Sequence, residues 1–549
     1  MAWIRWGSCG FAVALAAGCA STPPPGPEQA CARLMVTIPR GEIGLPSGAA
    51  TVRSAVHVPA SDLRVPASGP LQPALPAHCQ VVGDIAPLDP KAPVIRFQVN
   101  LPVQWNVRAL QYGGGGFNGV LITGLALPPG ARPDRPGPLA RGYATFGTDS
   151  GHQNRPGVPL QAFALNDEAL ENFAHASYKK VKDVAVALMR LRYGRPPQHV
   201  YFMGSSEGGR EGLTMAQRYP GDYAGIFSRV PVINWTGLQH MGLRNGLALM
   251  GEGWIRPAQV KLVHDAVLAA CDAADGLADG IVGDYAGCRA RFDVTKLRCK
   301  PGQAGDGCLT EPQLRAVQAL HSSYRFNFGL AHWETEYPGY GLGGENTPGS
   351  FPVGGWRAWY SGESAPVTPP ALTNGRAWQY GSGAIQYFYA QDGKYDLRRY
   401  RPEAFRDRIL KVSALMDATD PDLSHFHAGG GKLVILEHMA DYAQSPYAGI
   451  QYWEKVVARM KQPAVEQFAR LYVAPGVDHV GTGAPANVDM LEVLEDWVER
   501  GRAPGNLQVV QQERAAPFRV VNARPLCRWP AYPHYTGGNP AEASSFSCR

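Results

Sequence analysis

Between Tyr201 and Gly212 the chain reads YFMGSSEGGREG. An apolar run, Val200 to Met203, enters Gly204-Ser205-Ser206-Glu207-Gly208, and a helix-compatible stretch, Arg210 to Arg218, follows. This is the pattern of a nucleophile elbow, in which glycines two before and two after the serine allow a tight strand-to-helix turn to lift its hydroxyl clear of the backbone. A bare G-x-S-x-G also occurs in ordinary turns; the strand before it and the helix after it single this one out. The chemistry implied is attack of the Ser206 hydroxyl on an acyl carbonyl.

A serine hydroxyl is a weak nucleophile and needs a base, which a carboxylate must orient. In folds with this elbow the partners come later in the chain, acid first and then histidine. Two loops fit. The apolar run Lys432 to Leu436 opens into Glu437-His438-Met439-Ala440-Asp441, and Arg470 to Val473 opens into Ala474-Pro475-Gly476-Val477-Asp478-His479. Asp441 and His479 therefore stand just past strand ends. Asp478 is a rival acid, but its adjacency to His479 makes it hard for it to reach the far side of the ring. His438 and His152 read as structural histidines. The developing oxyanion needs donors: one is expected from the N–H of Glu207, the other from the glycine-rich turn Gly113 to Gly119, which lacks the Lys-Ser/Thr that would make it a phosphate loop.

These loops need a sheet to hold them. Short apolar runs at Val94 to Val99, Gly142 to Phe146, His199 to Met203, Lys432 to Leu436 and Arg470 to Val473 alternate with helical stretches, which predicts an α/β fold with a mostly parallel sheet flanked by helices. The rhythm breaks from about Val232 to Pro421, a region rich in Gly, Pro, Trp and Tyr and too long for a connection. It reads as an inserted lid domain, dividing the chain into 1–19 (signal), 20–231 (core, first part), 232–421 (lid) and 422–549 (core, second part). At 549 residues, 45% hydrophobic and 18% charged, the chain can bury a large core. A formal charge of +6 without a Lys/Arg run argues against nucleic acid as a partner. Arg5, an apolar stretch and small residues up to Ala20 form a secretory signal. The segment Leu15-Ala16-Ala17-Gly18-Cys19 resembles a bacterial lipoprotein signal that would lipidate Cys19; plain cleavage after Ala20 is the alternative. No other run reaches the roughly 20 apolar residues of a spanning helix. A secreted or periplasmic protein, possible outer-membrane lipoprotein and monomer, is the expectation.

Beyond the signal stand Cys31, Cys79, Cys271, Cys288, Cys299, Cys308, Cys527 and Cys548. Even parity in an oxidising compartment favours four disulfides, with pairing in sequence order the simplest scheme. Asp272, Asp275 and Asp279, interleaved with glycines, suit a hard cation; a solvated acidic turn is the alternative.

The segments GSSEGGREG, CDAADGLADGIV, APGVDH, EDWVERGRAP and ARPLCRWP resemble the tannase and feruloyl esterase family, in particular its mono(2-hydroxyethyl) terephthalate hydrolase branch, over nearly the whole mature chain. The resemblance implies an α/β-hydrolase core, a large lid and hydrolysis of esters of aromatic acids. By position it implies a triad of Ser206, Asp441 and His479, with Gly116 as the second oxyanion donor. It implies a structural calcium ion held by Asp272, Asp275 and Asp279 with the backbone oxygens of Leu277 and Ile281. Trp235, Trp359 and Ala443 would meet the substrate ring, and Arg376 is the one arginine placed to read a substrate carboxylate. Where the family has cysteines before the nucleophile and after the histidine, this chain has Ser205 and Val480. Terephthalate half-esters and feruloyl or gallate-type esters all suit the resemblance. A catalytically inactive, calcium-dependent binding module is the alternative of another class, and a peptidase on the same fold a weaker one.

Overall fold

The computed structural model describes residues 1–3, 26–66, 69, 71–348 and 354–549. The body of the signal segment, with Cys19, lies outside the described residues. The chain lays down β1 (Thr37–Ile38), β2 (Ala50–Val58), β3 (His78–Ile85), β4 (Ile95–Pro102), β5 (Arg108–Tyr112), β6 (Ala144–Thr148), β7 (His199–Ser205) and β8 (Gly225–Arg229). A small hairpin, β9 (Tyr324–Arg325) and β10 (Glu336–Tyr337), precedes β11 (Lys432–His438) and β12 (Ala469–Ala474). Ten of these strands make one sheet in the order β1-β2-β3-β4-β6-β5-β7-β8-β11-β12. Strands β6, β5, β7, β8, β11 and β12 run parallel, and β1 to β4 extend the sheet as successive antiparallel neighbours, with β4 antiparallel to β6. The expected α/β-hydrolase core is present, and the antiparallel extension is an addition to what the sequence predicted.

Strand periodicity explains how the parallel half is held. Alternate residues enter separate cores on the two faces. On one side lie Phe202, Leu433, Ile435, Leu471 and Val473; on the other lie Tyr201, Met203, Val434, Leu436 and Tyr472. All of these are buried, which is why the strands read as near-continuous apolar runs. The strand ends that matter, Ser205, Arg229, His438 and Ala474, consequently stand side by side along one edge of the sheet.

Between β8 and β11 the chain leaves the sheet and builds a mainly helical insertion. Within it the helices Trp235–Ala248 and Arg376–Gly383 pack closely: a Cβ on Gly381 would lie 2.6 Å from the Leu243 nitrogen, and one on Gly246 would run into Trp378. This contact places Trp235 and Arg376 over the strand ends. Four disulfides join Cys31–Cys79, Cys271–Cys288, Cys299–Cys308 and Cys527–Cys548, the sequence-order scheme. No helix among the described residues is long and apolar enough to cross a membrane.

Candidate active site

Strand β7 ends at Ser205, and Ser206 takes φ 62 and ψ −122 before the helix Glu207–Arg218 begins. A non-glycine residue there stores strain on the order of 1–3 kcal/mol. The turn exists because its flanks have no side chains: a Cβ on Gly204 would come 2.1 Å from the Gly208 carbonyl oxygen. The Ser206 N–H donates to the Arg229 carbonyl at 3.0 Å, tying the elbow to β8.

His479 Nε2 lies 3.0 Å from Ser206 Oγ, and His479 Nδ1 lies 2.7 Å from Asp441 Oδ2. A ring with Nδ1–H donating to the carboxylate presents the Nε2 lone pair to the serine, the tautomer this network requires. Asp441 is buried, and its Oδ1 accepts from the N–H groups of Ala443 and Gln444 at 2.7 and 3.0 Å. Asp478 is occupied elsewhere: its Oδ1 accepts from the N–H groups of Val480, Gly481 and Thr482, and its Oδ2 from the Thr482 hydroxyl. It shapes the loop that carries the histidine. His438 is buried and held neutral, its pKa well below the ordinary imidazole range because of desolvation. Burial likewise pushes His152 down to about 4 while its ring stacks on Phe163. Neither approaches Ser206 as His479 does.

The glycine-rich turn is anchored from beneath by Glu211, one helical turn past Glu207. The carboxylate of Glu211 is fully buried and accepts from the Gly114 N–H at 2.8 Å, from Asn118 Nδ2 at 2.7 Å and from the Tyr178 hydroxyl. Asn118 Oδ1 in turn accepts from the Gly115 N–H. Gly113 lies so close to the elbow helix that a Cβ would sit 2.7 Å from the Gly208 Cα. Gly116, at φ 58, and Glu207 both line the cavity beside Ser206. The Glu207 side chain is engaged by Arg210 at 2.7 Å, leaving its main-chain N–H at the first helical position, where no intrahelical acceptor exists.

The cavity above Ser206 holds about 350 Å³, within the range for a small aromatic ligand. All four residues assigned to the substrate by position, Trp235, Trp359, Arg376 and Ala443, line it. Sequence reasoning missed Phe117, Tyr380 and Tyr442. Tyr380 packs edge-on against Phe117 at 5.1 Å and Trp359 at 5.6 Å between ring centroids. Its signal was available, because Arg376 and Tyr380 are four residues apart and share one helix face.

The acidic loop is closed by Cys271–Cys288. Burial pushes Asp275 up to about 6, and the nearby charges of Asp279 and Asp272 add to the effect. Three mutually repelling carboxylates with free carbonyls are a donor set of the right chemistry for calcium. As placed, their oxygens accept from loop N–H groups, and Asp279 pairs with Arg524 at 2.6 Å. Among the described residues no three acidic, histidine or cysteine side chains converge as metal ligands. Ile281 packs against Gly476, in the segment that leads to His479.

The family profile described as tannase and feruloyl esterase matches residues 79–549. An uncharacterized esterase of Agrobacterium fabrum is 37% identical, over 93% of this chain and 91% of that protein. The mono(2-hydroxyethyl) terephthalate hydrolase of Piscinibacter sakaiensis is 30% identical, over 86% and 85%. The crystal structure of feruloyl esterase B from Aspergillus oryzae superposes with a TM-score of 0.77 at 22% identity, covering 95% of this chain and all of that one.

The Glu211 anchor is directly testable. A glutamine in its place offers one acceptor oxygen and turns an NH2 toward a donor, so the turn loses part of its hold. Glu211→Gln is expected to lower kcat about tenfold with KM changed less than about threefold, measured by steady-state kinetics on a chromogenic ester.

Proposed function

This chain belongs to the tannase and feruloyl esterase family, and we propose that Ser206, His479 and Asp441 make it a serine hydrolase of aromatic carboxylic esters. Its activity as a carboxylic ester hydrolase follows from the family. The finer reading rests on one observation: the hydrogen-bonded chain Asp441–His479–Ser206 ends in a cavity walled by Trp235, Trp359 and Tyr380.

In this mechanism Ser206 Oγ adds to the ester carbonyl while its proton passes to His479 Nε2. The oxyanion forms against the N–H groups of Glu207 and Gly116. Collapse of the tetrahedral intermediate expels the alcohol, which leaves with the proton from His479. Water then attacks the acyl-enzyme by the same proton route and releases the acid. Asp441 stays ionised throughout and holds the imidazole in its tautomer. An inactive binding module would have no use for this alignment, and the cavity is small for a peptide.

Substrate choice within the class turns on Arg376. A carboxylate entering a largely apolar cavity loses hydration and needs a charged donor in compensation, and Arg376 lines that cavity. We read the preferred substrates as terephthalate half-esters, with hydroxycinnamoyl esters such as feruloyl esters the alternative. Four disulfides support an extracytoplasmic location, since such bonds persist in oxidising compartments. Calcium, held by Asp272, Asp275, Asp279 and the backbone oxygens of Leu277 and Ile281, would neutralise the repulsion in that loop and brace the insertion.

Ser206→Ala should fold normally and lose turnover by about 10³-fold or more; near-native turnover on a chromogenic aromatic ester contradicts the triad. Arg376→Ala should raise KM about tenfold for terephthalate half-esters and little for neutral methyl esters; wild-type kcat/KM values favouring methyl ferulate tenfold over a half-ester contradict the substrate preference while leaving the esterase in place. Chelation with EDTA should lower the melting temperature, because a cation bound only to the native state stabilises it by mass action; an unchanged melting curve together with no calcium in the purified protein rejects the metal site.

A further inference from the structure

We propose that Arg229 is a positioning residue for the catalytic site, its guanidinium clasping the three segments that carry Ser206, Asp441 and His479. Arg229 closes β8, between β7 and β11, and is only 5% exposed. Its Nη1 donates to Ser205 Oγ at 3.3 Å, beside the nucleophile. Its Nε donates to His438 Nε2 at 3.3 Å, at the end of the strand that leads to Asp441. His438 Nδ1 donates to the Asp478 carbonyl at 2.6 Å, which fixes the tautomer and leaves Nε2 as the acceptor Arg229 needs. Nη2 lies against Gly481, where a Cβ would come within 2.4 Å of it; this is the loop just past His479. The main chain completes the clasp, since the Arg229 carbonyl accepts from the Ser206 N–H.

A buried guanidinium is costly unless well compensated. Its hydrogen-bond acceptors here are a hydroxyl and a neutral imidazole, and it makes no ion pair with a carboxylate among the described residues. The compensating charges stand further off, in Asp441 and Asp478. Burial pushes the guanidinium down to about 10, so it remains charged at neutral pH. The ionisable groups facing it are Asp441 and His438 from the β11 end, and Asp478 from the loop after β12 that carries His479. Arg229 thus sets geometry through its fork and adds positive charge behind the acid and the base, without touching substrate.

The proposal rests on the triad reading, so Ser206→Ala runs beside the test variants. Arg229→Met keeps the length and removes donors and charge; Arg229→Lys keeps the charge and removes the fork. Titration with an organophosphate counts competent sites, so that kcat refers to folded enzyme. The Met variant is expected to lose about tenfold or more in kcat, with KM within about threefold. Its kcat/KM profile should have an acid limb moved to higher pH, because loss of a neighbouring positive charge favours the imidazolium of His479. The Lys variant should keep the wild-type acid limb while losing kcat several-fold. A Met variant with wild-type kcat and pH profile overturns the proposal even when Ser206→Ala is inactive. If the Met variant does not fold, wild-type kcat in the Lys variant overturns it. Turnover surviving in Ser206→Ala overturns the triad reading, and this proposal with it.

Discussion

A serine hydroxyl becomes a nucleophile only when an imidazole and a carboxylate stand behind it within hydrogen-bond reach, and here the histidine lies 273 residues from the serine and 38 from the acid. Chain connectivity alone cannot hold such a constellation to the few tenths of an ångström that proton transfer demands. The parallel sheet does so. Its strands end in one row, so that Ser206, Asp441 and His479 need only short loops to meet. The insertion closes over that row, its Trp235, Trp359, Arg376 and Tyr380 lining the cavity beside Ser206.

Much of the fine positioning is done by buried polar groups. Glu211 ties the glycine-rich turn to the elbow helix, Asp478 folds the histidine loop around its own carboxylate, and Asp441 is fixed by two backbone donors. Buried carboxylates are expensive unless their acceptor positions are filled, and these three are filled mainly by N–H groups. The same bonds that make them tolerable leave little freedom to the loops that carry them. Arg229 belongs with this group, reaching Ser205 itself and Gly481 beside Val480, and Ser205 and Val480 are the two positions where this chain departs from the cysteines of the family pattern.

The residues proposed as catalytic could be picked out in the sequence because the constraints on such residues are local. An elbow needs glycines at fixed offsets, and an acid or base at a strand's end follows an apolar run that can be counted. The strands that carry them were legible for the same reason, each being buried on both faces. The antiparallel strands β2 and β3 were not legible, since the exposed Arg53 and half-buried Ser54 and His57 of β2, and the half-buried Gln80 and Asp84 of β3, blur the apolar signal. The cavity wall was legible only in part. Trp235 and Trp359 come from segments more than a hundred residues apart, and the close helix contact at Gly246 and Gly381 that brings Arg376 and Tyr380 over Ser206 depends on tertiary packing that no local pattern encodes. Arg229 was invisible for the same reason, because a single arginine at a strand end acquires meaning only when three loops converge on it.

The central claim, that acyl transfer runs through Ser206 in a cavity shaped for an aromatic acid, is tested most directly by trapping the intermediate. Enzyme mixed with a slowly deacylating hydroxycinnamoyl or terephthaloyl ester can be quenched in acid within the first turnover, digested, and read by mass spectrometry. The expected result is the mass of the aromatic acyl group on the peptide containing Ser206, absent from the Ser206→Ala protein. Acyl mass on another residue, or full turnover with no acylated peptide formed at any time, would contradict the account.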